Sequence, residues 1–234
     1  YKYLGLIVDD GLTFHKHVNH VKKQITPFIA LMWRKGKYIP VENRRQLYVS
    51  YVQSHLMYML PIYGECAQYK MKELQTLQNR CIKAAFRLDR NTSTTYIYSS
   101  TIVPIIELAK VERICLVYKL VKFRTKHNFR LHTNADVHRR STRRDSMVHN
   151  FNMYSCMTTG FEATRAALML AIDEFNRVDN ETRRLTSFRS FRSKVKLKVM
   201  QESFDEAPRA YIGRGVTFIF RQNSFICLFL RELL

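Results

Sequence analysis

Apolar residues recurring at steps of three and four constrain this chain more than any other feature, because that spacing builds one face of a helix and no face of a sheet. Val18, Val21, Ile25, Phe28 and Met32 make such a face over about residues 15–34, opposite a polar face assigned His17, Lys22, Lys23 and Gln24. A second helix begins at Pro40, and its Leu47, Tyr48, Tyr51, Val52, His55 and Met59 cover more than one face, which predicts burial on most sides until Pro61 ends it. A third, over 70–86, turns Met71, Leu74, Leu77, Cys81 and Ala85 inward and leaves Asn79, Arg80, Lys83 and Arg87 outside. The fourth, over 104–123, is the most apolar, with Ile105, Leu108, Val111, Ile114, Cys115, Tyr118 and Val121.

The segments flanking these helices read differently. Residues 1–8 are β-branched and aromatic with one Gly, and Asp9-Asp10-Gly11 follows as turn chemistry, so they predict one short strand that needs a sheet from elsewhere. From 124 to about 160 the periodicity gives way to Arg, His, Asn, Ser and Thr, a long basic loop and the natural linker. Helical spacing returns over 161–178 and 187–200, where Phe188, Phe191, Val195 and Val199 share a face among Arg189, Arg192, Lys194, Lys196 and Lys198. The tail, 201–234, is β-rich and unassigned, and Arg214, Arg221 and Arg231 interrupt it too often for a membrane span. The expected fold class is mainly α, divided as 1–14 strand and turn, 15–123 helical bundle, 124–160 basic linker, 161–200 second small helical region and 201–234 tail.

Charge narrows the partner. The 39 Lys and Arg against 19 Asp and Glu leave +20 on 234 residues, a self-repelling surplus that answers a polyanion. Nucleic acid comes first and an anionic membrane surface, at about 1 kcal/mol per basic residue, is the competitor set below it. Cys66, Cys81, Cys115, Cys156 and Cys227 are odd in number and far apart, which fits neither a disulfide framework nor the paired cysteines of a zinc site and points to a reducing compartment. The eight His show no metal-ligand spacing, and no P-loop or Ser/His/Asp constellation is present. With no signal-like stretch and no initiator Met before Tyr1, the expectation is a piece of a longer protein.

The order of motifs is more specific than any of them singly. YKYLGLIVDDGLTFHKHV at the start, IPVENRRQLYVSYVQSHLMYMLPIYG (39–64), LQTLQNRCIKAAF (74–86), TSTTYIYSSTIVPI (92–105), HRRSTRR (138–144) and the late SFRSFRSKVKL resemble, in series over about residues 1–200, the region after the polymerase core of non-LTR (LINE-type, jockey-like) retrotransposon reverse transcriptases. The resemblance implies a leftover palm strand, then a thumb-like helical bundle, in an RNA-directed DNA polymerase whose aspartates hold Mg2+ ions upstream of this chain. It implies no catalytic residue and no cofactor here, an inactive chain when alone, RNA or DNA and the upstream palm and fingers as partners, and the nucleus or cytoplasm as location. Asp9 and Asp10 follow Val8 one strand later than the catalytic pair of the family, so they read as an exposed turn capping the next element.

Candidate nucleic-acid contacts follow from this. Tyr3 and Gly5 fall where such enzymes hold the primer terminus, or else form a buried strand with a Gly bulge. Lys22, Lys23, Arg34, Lys35, Lys37, Arg44 and Arg45 sit on or between the first two helices, where a thumb follows the template and primer backbone. Arg80, beside Asn79, contacts phosphate or braces a loop. His138, Arg139, Thr142, Arg143 and Arg144 occupy the most basic loop. Trp33, Tyr48, Tyr51 and Tyr58 are stacking candidates, although aromatic stripes at helical spacing are more often core. The other class of function is a domesticated or unrelated basic helical protein binding RNA, chromatin or an anionic membrane.

Overall fold

The computed structural model describes residues 1–89, 91–92, 98, 102–123, 131–133, 150–151 and 162–206, the side chains of 162–167 and 204–206 excepted. It is mainly helical, with a two-stranded antiparallel sheet at the N-terminus. The helices are α1 (His15–Lys35), α2 (Val41–Leu47), α3 (Ser54–Met57), α4 (Leu60–Tyr63), α5 (Gln68–Phe86), α6 (Ile105–Lys122), α7 (Glu162–Asn176), α8 (Asn180–Arg184) and α9 (Phe188–Glu206). The basic motif at 138–144, the greater part of 124–160 and residues 207–234 lie outside the described residues.

The expected single strand is a hairpin. β1 (Lys2–Tyr3) pairs with β2 (Leu6–Ile7), Tyr3 opposite Leu6, so Leu4 and Gly5 are a two-residue loop. Both have positive φ, 46° and 87°, the signature of a type I′ turn. Leu at the first of these positions hides the turn from a reader looking for Asn-Gly or Asp-Gly. Asp9 holds the turn that leads into α1, whose first turn has no side-chain cap. Its carboxylate accepts from the Thr13 hydroxyl and, at 2.9 Å, from the Phe14 N–H just before α1. Burial raises the Asp9 carboxyl, and these hydrogen bonds outweigh it and hold the group below the usual carboxylate range.

α1 buries the predicted stripe and passes through Pro27, which stands on the exposed side where the missing N–H costs least. His17 departs from its assigned polar face. Only 2% exposed, it accepts the Ile7 N–H on Nδ1 at 3.4 Å and packs edge-on to Tyr63, with ring centroids 4.9 Å apart. The sequence places it beside the Val18–Val21 stripe, and the hairpin and α4 close over it. Burial pushes its imidazole down from 6.5 to about 4, with His20 adding to the effect.

The second predicted helix differs most from expectation. α2 runs into a π-helical turn, Tyr48–Gln53, then α3, and the chain breaks at Met59, in the left-handed region, before α4, which holds Pro61 near its start. Buried positions recur every four residues, at Arg44, Tyr48, Val52, Leu56 and Leu60. In a plain α-helix that stripe would drift about 40° per step; the wider π turn brings it back toward the core. Leu47 and Tyr51, expected inside, are 38% and 39% exposed.

Two cores result. One joins α1–α5, the π turn, the first turn of α6 and Met200 of α9; the other joins the rest of α6 with α7–α9. α6 buries apolar residues on more than one side because it serves both, Ile105, Leu108 and Ala109 in the first and Val111, Ile114, Val117 and Tyr118 in the second. Tyr118 stacks on Phe191 at 4.0 Å in the second core. Gln78, 1% exposed, ties α5 to its neighbours by donating to Tyr48 Oη (3.0 Å) and the Val103 carbonyl (2.9 Å) and accepting the first α6 N–H, from Ile105 (2.8 Å).

Candidate nucleic-acid interface

α1 and α5 run parallel, and their pairing decides where the basic residues fall. Near their starts Tyr69 Oη lies 3.1 Å from His15 Nε2 and Lys22 bonds Glu73 at 2.7 Å; at their ends Arg44 bridges Gly36 to the Ala85 carbonyl. Both helix C-termini therefore point the same way. A basic residue at a helix C-terminus complements the dipole, so part of this clustering has a purely structural cause.

Lys23, Arg34, Lys35, Lys37, Arg45, Arg80 and Arg87 are exposed on this helix pair and the connection after it. Arg34 Nε donates to its own helix at the Ala30 carbonyl (3.3 Å), and Lys37 Nζ lies 4.7 Å over the exposed Tyr38 ring. Lys22 is engaged by Glu73, which also takes Lys70 at 3.2 Å. A surface groove of ≈560 Å³ runs along this side of α1, lined by Asn19, Lys22, Lys23, Thr26 and Pro27.

Arg44 does not belong with the exposed set. It is 9% exposed and its guanidinium donates to the Ala85 carbonyl at 3.0 Å, closing the C-terminus of α5. A charge run read along the chain counts such a strut with the exposed cations. The aromatic candidates separate as well. Tyr48 is core, whereas Tyr51 and Tyr58 lie at the surface with their hydroxyls bonded to the Gln24 and Leu4 carbonyls, and Trp33 is 42% exposed.

Tyr3 is 58% exposed and stands at the hairpin tip, away from the basic end. The Tyr58 ring lies under Gly5, where a Cβ would come 3.3 Å from Cε1. Tyr3 is thus no buried strand residue, and the hairpin is anchored both through the Leu4 carbonyl and by Leu6, which is 5% exposed in the first core. The candidate at His138, Arg139, Arg143 and Arg144 falls outside the described residues.

Sequence reasoning missed one polar centre. Arg113 on α6, with its side chain 8% exposed, donates to Glu174 of α7 at 2.5 and 2.8 Å and to Glu65 after α4 at 2.6 Å. Burial pushes the Glu65 carboxyl up against the pull of Arg113. The signal was an Arg set between the core positions Val111 and Ile114. Among the described residues no three His, Cys, Asp or Glu side chains are grouped to hold a metal ion, and Asp9 is already engaged, so the described residues do not fit a metal centre. No described helix is long and apolar enough to cross a membrane.

No family model and no solved structure matches the chain. Over 87 residues, 36% of its length, the chain is 29% identical to the RNA-directed DNA polymerase from mobile element jockey of Drosophila funebris. The match spans 9% of that polymerase.

Proposed function

We propose that this chain is a nucleic-acid-binding part of a non-LTR retrotransposon reverse transcriptase, following the palm and holding the template and primer backbone without performing the chemistry. The observation that carries the reading is the exposed basic end of the parallel α1–α5 pair, Arg34, Lys35, Lys37, Arg45, Arg80 and Arg87, on a chain of net charge +20. Similarity to a mobile-element polymerase and the ordered motifs agree with it. Phosphate contact comes from these side chains and base identity is not read by them. In the parent enzyme Mg2+ belongs to residues outside this chain, and Tyr3 and Gly5 approach the primer terminus from the hairpin tip.

The test is a salt titration of affinity. With about six phosphates neutralised, binding to RNA or DNA falls on the order of a thousandfold between 50 and 200 mM salt. A flat response in fluorescence anisotropy removes the proposal.

A further inference from the structure

We propose that the exposed basic face of α1 beside α5 takes an unpaired nucleic-acid strand and stacks one of its bases on Trp33; this rests on the nucleic-acid reading above and names the form of the ligand. The placement follows from two helix registers. Lys22 faces α5, since it bonds Glu73, and Thr26 and Trp33 follow it at four and eleven residues on the same side of α1. On α5, Arg80 follows Glu73 by two turns on the side that faces α1. Because the helices are parallel and the Lys22–Glu73 and His15–Tyr69 contacts fix their stagger, Trp33 comes level with the last turn of α5, between Arg80 and Arg87.

A tryptophan in this position is not serving the core. Trp33 is 42% exposed, while the stripe of α1 that does the burying, ending at Met32, is 0–4% exposed. Arg34, which follows it, and Arg80 and Arg87, which the two registers place level with it, are exposed cations, and Lys23 and Thr26 line a groove further back on α1. An aromatic face set among cations along an exposed helix side is the arrangement that binds single strands, where the backbone meets the charge and a base meets the ring. A duplex offers the charge and hides the base faces, so the exposed ring favours the unpaired form.

Trp33 is the sole tryptophan of the 234 residues, which makes its fluorescence a direct reporter. The full chain is titrated with short oligothymidylate, with a blunt duplex and with inorganic polyphosphate, a polyanion without bases. Oligothymidylate is expected to quench the emission in step with binding measured by anisotropy; polyphosphate is expected to bind without quenching and the duplex to quench little. Trp33→Leu weakens oligothymidylate about five- to a hundredfold and leaves polyphosphate unchanged, and Trp33→Tyr restores most of the loss. Binding of oligothymidylate without quenching, equal quenching by the duplex or by polyphosphate, or an unaltered affinity in Trp33→Leu each overturns the stacking site while leaving nucleic-acid binding intact. Absence of binding to all three overturns both. The quenching experiment on the native chain holds even if a variant folds poorly.

Discussion

In the α6–α9 half, acids meet bases: Glu174 and Glu65 hold Arg113, Glu112 holds Arg192, Asp179 holds Lys198, Asp173 holds Arg177 and Glu107 holds Lys110. In the α1–α5 half Glu73 takes both Lys22 and Lys70, and Arg34, Lys35 and Arg80 stand exposed. The two halves have similar residues and opposite uses for them. Positive charge consumed within a fold supports packing, whereas charge left at its surface is available to a polyanion. Net charge does not separate the two.

The comparison breaks most readily at Arg113. Arg113→Ala leaves Glu65 and Glu174 half-buried without their partner and is expected to cost about 3–5 kcal/mol in urea unfolding. Replacing Arg113 and Glu174 together by Met recovers much of that, because a buried pair contributes little net over apolar packing. An Arg113→Ala protein as stable as the parent removes the contrast. A smaller effect tests the other half. Charge reversal at Arg34 and Lys37 lowers nucleic-acid affinity about tenfold or more with stability unchanged within about 0.5 kcal/mol, while reversal at Arg192 and Lys198 shifts affinity less and stability more. Equal affinity losses from the two pairs show that exposure does not decide binding.

Acid sharpens the comparison further. The unfolded chain protonates His17 near 6.5 and the folded chain resists until about 4, so its contribution is complete above pH 6.5 and is lost as pH falls through that window. Urea midpoints measured across that window decline less steeply in His17→Gln than in the parent; identical slopes discard the buried neutral histidine. The least effect is at the hairpin. Leu4→Asn suits the positive φ of a type I′ turn and adds a few tenths of a kcal/mol, read from the thermal midpoint. A loss of stability there contradicts the turn type.

Much of the fold was legible from the sequence where a single period held. The stripe from Val18 to Met32 and the Phe191, Val195 and Val199 face are buried as spaced, since each helix meets one neighbour layer. What was illegible depended on a second element. His17 became core because the hairpin and Tyr63 cover it; Arg44 became a strut because Ala85 ends a helix beside it. The candidate interface was legible as charge and illegible as geometry. Lys22, Lys23 and Arg80 were named from the sequence, but their placement needs the parallel pairing of α1 with α5, and Trp33 stood as a stacking candidate that spacing alone could not tell from core.

The π turn at Tyr48–Gln53 has a consequence for chain length. It amounts to one surplus residue lodged in an otherwise continuous helix. Deleting Ser50, which is exposed, removes the surplus and lets Val41–Met57 wind as ordinary α. Arg44, Tyr48, Val52 and Leu56 would then follow one another at steps of four, three and four, which keeps all four within one helix face turned to the core. This stretch therefore tolerates the loss of Ser50 better than the addition of a further residue beside it.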